Sequence, residues 1–189
     1  PRDYAQVLRA YIDKAGIDRS RLVIYATDVG ALPPLLLALE QPDIAKKIIV
    51  GDFAPFDRAH YMSDRLRSLK APQTADATRK AINQNRDEIV ENAFRRGLEA
   101  SEQFDVPADF KQDMLDGWTQ GSVSTGDAFY HYYAHFTRDQ QYFEANLARL
   151  KTPVQIVWGE KALYIDKKMG EEFAAKSGKP FTVLPNLGH

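Results

Sequence analysis

Apolar residues recur through "YAQVLRAYIDKA" (4–15) at a spacing that sets Tyr4, Val7, Leu8, Tyr11 and Ile12 on one face of a helix, which Gly16 then ends. The pattern next becomes continuous. Residues 21–25 read as a buried strand, and the apolar run at 29–41 reads as a helix with Pro33 and Pro34 early in it, where missing N–H groups matter least. "KKIIVGDF" (46–53) is rich in β-branched residues and predicts a second strand. A strand, a helix and a strand in so short a span predict a right-handed crossover and a parallel sheet.

From Pro55 the pattern changes again. Residues 58–150 hold no convincing β run, are richer in charge, and show helical periods at 61–69, 76–98, 107–118 and 126–149. "LRSLKAPQTADA" and "GWTQGSVSTGDA" supply breaks between them. The α/β pattern then resumes with a strand in "TPVQIVWGE" (152–160), an amphipathic helix in "KKMGEEFAAKSG" (167–178) and a last strand in "PFTVLPNLGH". The expected organisation is an α/β core at 1–57 and 151–189, interrupted by a helical block at 58–150. An insertion at the carboxyl edge of a parallel sheet lies where ligand sites form.

Composition narrows the function classes. Of 189 residues, 44% are apolar and 27% charged, as in globular proteins, and the net charge of −1 gives no reason to expect nucleic acid as a partner. No stretch approaches the roughly 20 apolar residues of a membrane helix, so no membrane partner is expected. The absence of cysteine excludes disulfides and thiol catalysis without placing the compartment, although a cytoplasmic setting is slightly favoured. Four scattered histidines lack metal-type spacing. The chain opens at Pro1 and stops at His189, directly after "PNLG", which is expected of a part of a longer chain, in which a secretory signal would not be seen.

Three polar residues fall at predicted strand ends: Asp28 after the first, Asp52 after the second and His189 after the last. In a parallel sheet these ends share one side, so the side chains can converge. The turn Ala26-Thr27-Asp28-Val29-Gly30 has the small-x-nucleophile-x-small pattern of a strained strand-to-helix elbow. It lifts Asp28 to a helix N-terminus, where an anion is favoured and can act as a nucleophile toward carbon. The plainer reading of Asp28 is a helix cap.

On these residues the sequence resembles the α/β-hydrolase family, and within it the aspartate-nucleophile branch of epoxide hydrolases and dehalogenases. The resemblance runs from "LVIYATDVG" through "IIVGDFAP" and "LKTPVQIVWGEK" to "VLPNLGH". It implies an α/β-hydrolase parallel sheet, of which only the C-terminal strands are here, with a helical cap at 58–150. It implies Asp28 as nucleophile, the Val29 N–H as one oxyanion donor and His189 as base. The orienting acid is either Asp52 or a residue near Glu160–Asp166, since the position where many relatives carry it is Ala162; Asp52 is preferred. The other oxyanion donor of the family comes from a loop that would precede Pro1.

In the implied cap, "FYHYYAHF" (129–136) resembles the segment where epoxide hydrolases place a ring-opening tyrosine, and Tyr133 matches best. Tyr61, Tyr130 or His131 are candidate helpers, with Tyr130 and Tyr61 expected to touch substrate. His60 and His135 read as bystanders, and Trp118 and Trp158 as packing residues. The implied reaction opens an epoxide to a diol, needs no metal or organic cofactor, and takes a small apolar substrate, with a homodimer as the candidate assembly. Val29 stands where haloalkane dehalogenases place a halide-binding tryptophan, and the substrate-clamping arginine of fluoroacetate-type enzymes is missing; dehalogenation is therefore the second reading. A ligand-binding protein of the same fold without turnover is the third.

Overall fold

In a computed structural model, which describes residues 1–92 and 95–189, four parallel strands form the predicted sheet. They are β1 (Val23–Thr27), β2 (Lys47–Gly51), β5 (Val154–Gly159) and β6 (Phe181–Leu184), ordered β1-β2-β5-β6. Register runs Ile24 opposite Ile48, Ile48 opposite Val154, and Ile156 opposite Phe181. β2 and β5 are central and bury Ile48, Val50, Val154 and Ile156 completely or nearly so, as their β-branched runs predict. β1 is an edge, with Tyr25 72% exposed.

Helix α1 (Arg2–Lys14) and helix α2 (Leu32–Glu40) pack against each other beside the sheet. α2 is apolar all round and buried from Leu32 to Leu39, as such a helix must be. α1 departs from its expected face. Tyr4, Val7 and Tyr11 are each more than half exposed, because the helix packs through Ala5 and Ile12, with Leu8 at the margin. α9 (Lys167–Ser177) follows β5 and ends at Gly178, whose φ of +66° is the left-handed cap that glycine adopts without steric cost.

Between β2 and β5 lie α3 (Asp64–Lys70), α4 (Pro72–Gln84), α5 (Arg86–Glu91), α6 (Ala108–Asp116), α7 (Thr125–Ala134) and α8 (Phe136–Ala145). The period expected at 76–98 is two helices broken at Asn85, and its positions 93 and 94 lie outside the described residues. The period at 126–149 is likewise two helices, broken at His135, followed by a short 3-10 turn at Leu147–Arg149. The block also contains a two-residue antiparallel pair, β3 (Thr119–Gln120) with β4 (Val123–Ser124), which the sequence pattern had not indicated. It turns on Gly121 at φ +60°.

An aromatic cluster ties the helices to the sheet. Phe53 sits 5.8 Å from Phe173 and 6.1 Å from Trp158, and Phe56 lies 5.9 Å from Phe173. All four are buried to within 1% exposure, so large apolar areas leave water where β2, β5 and α9 meet. Trp158 is thus a packing residue, and its indole N–H donates to the Ile165 carbonyl at 3.2 Å. Gln140 of α8, fully buried, donates to the carbonyls of Ala54 (2.8 Å) and Phe56 (2.7 Å) and accepts from Lys70 (3.0 Å), joining the helical block to the loop after β2. Among the described residues, no helix is long and apolar enough to cross a membrane.

Candidate active site

The strand ends deliver their polar residues to one place. Asp28 follows β1 directly and is held at φ +49°, a conformation that costs a non-glycine residue energy and that recurs at functional turns. The elbow pattern in the sequence matches that strain: Asp28–Gly30 forms a 3-10 turn feeding α2. His189 reaches back so that its Nε2 lies 3.4 Å from Asp28 Oδ2.

His189 is held by the turn beneath it. Glu160 N–H donates to the Leu184 carbonyl (3.0 Å), Lys161 N–H to the Leu187 carbonyl (2.8 Å), and Asn186 N–H to Glu160 Oε2 (3.0 Å). Gly159 makes this turn fit, because a Cβ there would stand 2.1 Å from the Gly188 carbonyl oxygen. Burial opposes charge on His189. The hydrogen bond and the charge of Asp28, with Asp52 adding, outweigh it and hold the imidazole pKa above its ordinary 6.5.

Asp52 follows β2 with φ +46°, and its Oδ1 accepts from Gly159 N–H at 3.1 Å. Burial raises its pKa above 3.8; the Gly159 N–H and His189 pull it down, and Asp28 adds to the rise. Asp52 is therefore within electrostatic reach of both Asp28 and His189. Glu160 and Asp166, the competing acids, are engaged elsewhere: Glu160 on Asn186 N–H, and Asp166 as the cap of α9, accepting from Lys168 N–H at 2.9 Å.

Asp28 and His189 open into a cavity of about 380 Å³ whose far wall is helical. Thr125, Phe129 and Tyr133 of α7 line it at i, i+4 and i+8, one stripe of a helix. Tyr133 is 3% exposed, and burial first, then the nearby Asp28, pushes its phenol well above the ordinary value, so it is protonated at any physiological pH. The preceding residue, Tyr132, points the other way and donates to the Val29 carbonyl at 2.8 Å.

Two expected substrate contacts lie outside this cavity. Tyr130, one position past Phe129, is turned about 100° off the lining stripe, and it carries the Arg79 guanidinium 5.0 Å from its ring centre. Tyr61 sits in a 3-10 turn whose carbonyl accepts from Asp166 N–H, with its ring on His60 and facing the 160–167 loop instead. His131, the other candidate helper, packs edge-on against Tyr130.

The sequence pattern passed over Tyr164, Arg65 and Arg96, all of which line the cavity. Tyr164 is its second phenol and packs edge-on to the His189 ring at 5.0 Å. Trp118 is buried in the hydrophobic core, as expected of a packing residue, and also lines the cavity wall. The signal for Tyr164 in the sequence is an aromatic shortly after a strand end, in "ALYID" (162–166) following β5.

A carboxylate, an imidazole and a buried neutral phenol facing one apolar-walled space can attack carbon, move a proton from water and donate a proton to oxygen.

No family model matches the sequence, and no curated protein is similar to it. Solved structures do share its architecture. They include a haloalkane dehalogenase, DbeA, of Bradyrhizobium elkani (16% identity, TM-score 0.69, covering 99% of this chain and 66% of that one). An α/β-hydrolase fold protein of Burkholderia ambifaria shows 18% identity and TM-score 0.65, with coverages of 98% and 65%. A protein of Acinetobacter baumannii described as a lipase shows 16% and 0.64, with 99% and 60%. The chain thus spans 60 to 66% of the length of these three and has the α/β-hydrolase fold over that part.

Proposed function

We propose that this chain is the reacting part of a hydrolase that opens an epoxide to a diol through a covalent ester on Asp28, with residues 58–150 as its cap. The observation that carries the reading is the shared cavity of Asp28, His189 and Tyr133. In the first step an Asp28 carboxylate oxygen attacks an epoxide carbon. The ring C–O bond breaks, and the oxygen takes the Tyr133 proton, leaving an alkyl ester and a tyrosinate.

In the second step His189, with Asp52 as the orienting acid, takes a proton from water. The hydroxide adds to the ester carbonyl, whose oxyanion the Val29 N–H helps to hold. Collapse breaks the acyl C–O bond, the departing diol oxygen takes the proton from His189, and the Asp28 carboxylic acid so formed returns its proton through water to the Tyr133 phenolate, regenerating both residues. A neutral, buried phenol suits the first step because an epoxide oxygen, unlike a halide, must gain a proton as it leaves.

Dehalogenation through the same Asp28 is the second reading, favoured by Trp118, whose indole N–H is the kind of donor a departing halide uses. The strained φ of Asp28 weighs against a ligand-binding protein without turnover, since such strain persists where it is used. Three parallel assays separate the readings: diol from styrene oxide, bromide from 1-bromobutane, and nitrophenolate from an aryl butyrate. Diol alone is expected. Bromide without diol replaces this reading with the second, and no product from any of the three overturns both.

A further inference from the structure

Among the described residues, two arginines, an aspartate and a histidine line the cavity beside its two phenols, and three of these four are accounted for. Asp28 and His189 face each other. Arg96 is held by both carboxylate oxygens of Glu88, at 2.6 and 2.8 Å. Arg65 has no hydrogen bond, ion pair or aromatic partner among the described residues. The acid next to it on α3, Asp64, pairs with Arg67 instead.

Arg65 is also not on the solvated side of its helix. It lines the cavity together with Leu66 and Leu69, the latter one turn further on, and these two leucines are among the buried residues of α3. A guanidinium on an apolar wall, partly withdrawn from water and without a counter-charge, is an unfavourable arrangement until an anion meets it. Its planar fork is matched to a carboxylate, which it can hold by two parallel hydrogen bonds. A few placed polar groups in an otherwise apolar cavity are what fix a ligand's orientation.

We infer that Arg65 is the specificity-determining residue of this cavity and that the substrate carries a carboxylate remote from its reacting carbon: an epoxide of an aliphatic or aromatic carboxylic acid, lying with its epoxide at Asp28 and its carboxylate at Arg65. The epoxide half of this statement rests on the reading given above for Asp28; the carboxylate half rests on Arg65 alone. Without the arginine the cavity would reject such a ligand, because the Asp28 carboxylate shares the space.

The test compares two unreactive ligands of one shape, 4-phenylbutyrate and 4-phenylbutyramide, by tryptophan fluorescence, since Trp118 stands on the cavity wall. The carboxylate is expected to bind on the order of tenfold tighter than the amide at low ionic strength. That ratio falls to one or below in Arg65→Gln, and is largely kept in Arg65→Lys and in Arg96→Gln. An amide bound as tightly as the carboxylate by the unaltered chain, a preference that survives Arg65→Gln, or binding of neither ligand overturns the inference. The two proposals fail separately: diol formation with no carboxylate preference removes this one, and carboxylate preference with no diol removes the epoxide reading.

Discussion

The Tyr132 hydroxyl donates to the Val29 carbonyl at 2.8 Å, across 103 residues of sequence. This bond fixes α7 against the turn that carries Asp28, and by the geometry of a helix it turns the next side chain, Tyr133, toward the cavity. Burial, more than its charged neighbours, keeps the Tyr132 phenol neutral and available as that donor.

Tyr132→Phe removes the donor and leaves a partly buried carbonyl short of a partner, at a cost of about 1–2 kcal/mol. For a chain of this size that lowers the melting temperature by roughly 2–8 °C. Thermal unfolding checks it, and an unchanged midpoint would show that α7 is held elsewhere.

Tyr133→Phe separates epoxide from halide chemistry. Loss of a positioned proton donor slows ring opening by about 10²–10⁴-fold. Alkylation of Asp28 by a haloalkane, where no proton is needed, keeps its rate within a few-fold. Single-turnover measurements with styrene oxide and 1-bromobutane provide the comparison. Equal losses on both would mean that Tyr133 only shapes the cavity.

Gly159→Ala acts on two site residues at once. The added Cβ would meet the Gly188 carbonyl oxygen at 2.1 Å, beside His189, while the Gly159 N–H is the partner of Asp52. The turn has to shift, and a displacement near 1 Å at a reacting group is worth about 10²-fold in rate. Activity should fall far more steeply than stability. A fully active Gly159→Ala would show that the turn yields without moving His189.

Asp52→Asn should be more stable and less active. Burial, against the pull of the Gly159 N–H and His189 and with Asp28 adding to it, holds the folded pKa of Asp52 above 3.8. Ionised Asp52 therefore costs stability once pH exceeds that raised pKa, and costs none below 3.8, where both states are protonated. An Asn carbonyl can still accept from Gly159 N–H, and Asn tolerates a positive φ. The variant should gain roughly 1 kcal/mol at pH 7, shrinking as pH falls into the carboxylate range, while ester hydrolysis slows by orders of magnitude. His189 has the same linkage sign: its pairing with Asp28 stabilises the fold fully below pH 6.5 and is lost as pH rises through its raised pKa. A less stable Asp52→Asn at neutral pH would contradict the assignment of burial as the dominant cause.

Much of the fold was legible because the two central strands are largely buried and read as unbroken β-branched runs, as "KKIIVG" does; β1, whose apolar run reads as equally buried, is an exposed edge. The turn around Asp28 was legible because its small neighbours mark a strained elbow. The breaks at Asn85 and His135 were not, since neither residue is glycine or proline and the helical period continues across them. The apolar stripe of α1 overstated its buried face, because Ala5 and Ile12 suffice for its contact with α2. Arg65 and Arg96 escaped notice for a physical reason: in a helical period a charged position reads as solvated, and only the third dimension shows that the face beside Leu66 and Leu69 borders a cavity.

The central claim is the ester on Asp28, and the mass of the intact His189→Gln chain after incubation with styrene oxide tests it most directly. Without its base the ester should persist, giving a mass gain equal to one whole epoxide on the peptide that carries Asp28, and no such gain in Asp28→Asn. An unmodified His189→Gln chain, or an adduct on any other residue, would contradict the account.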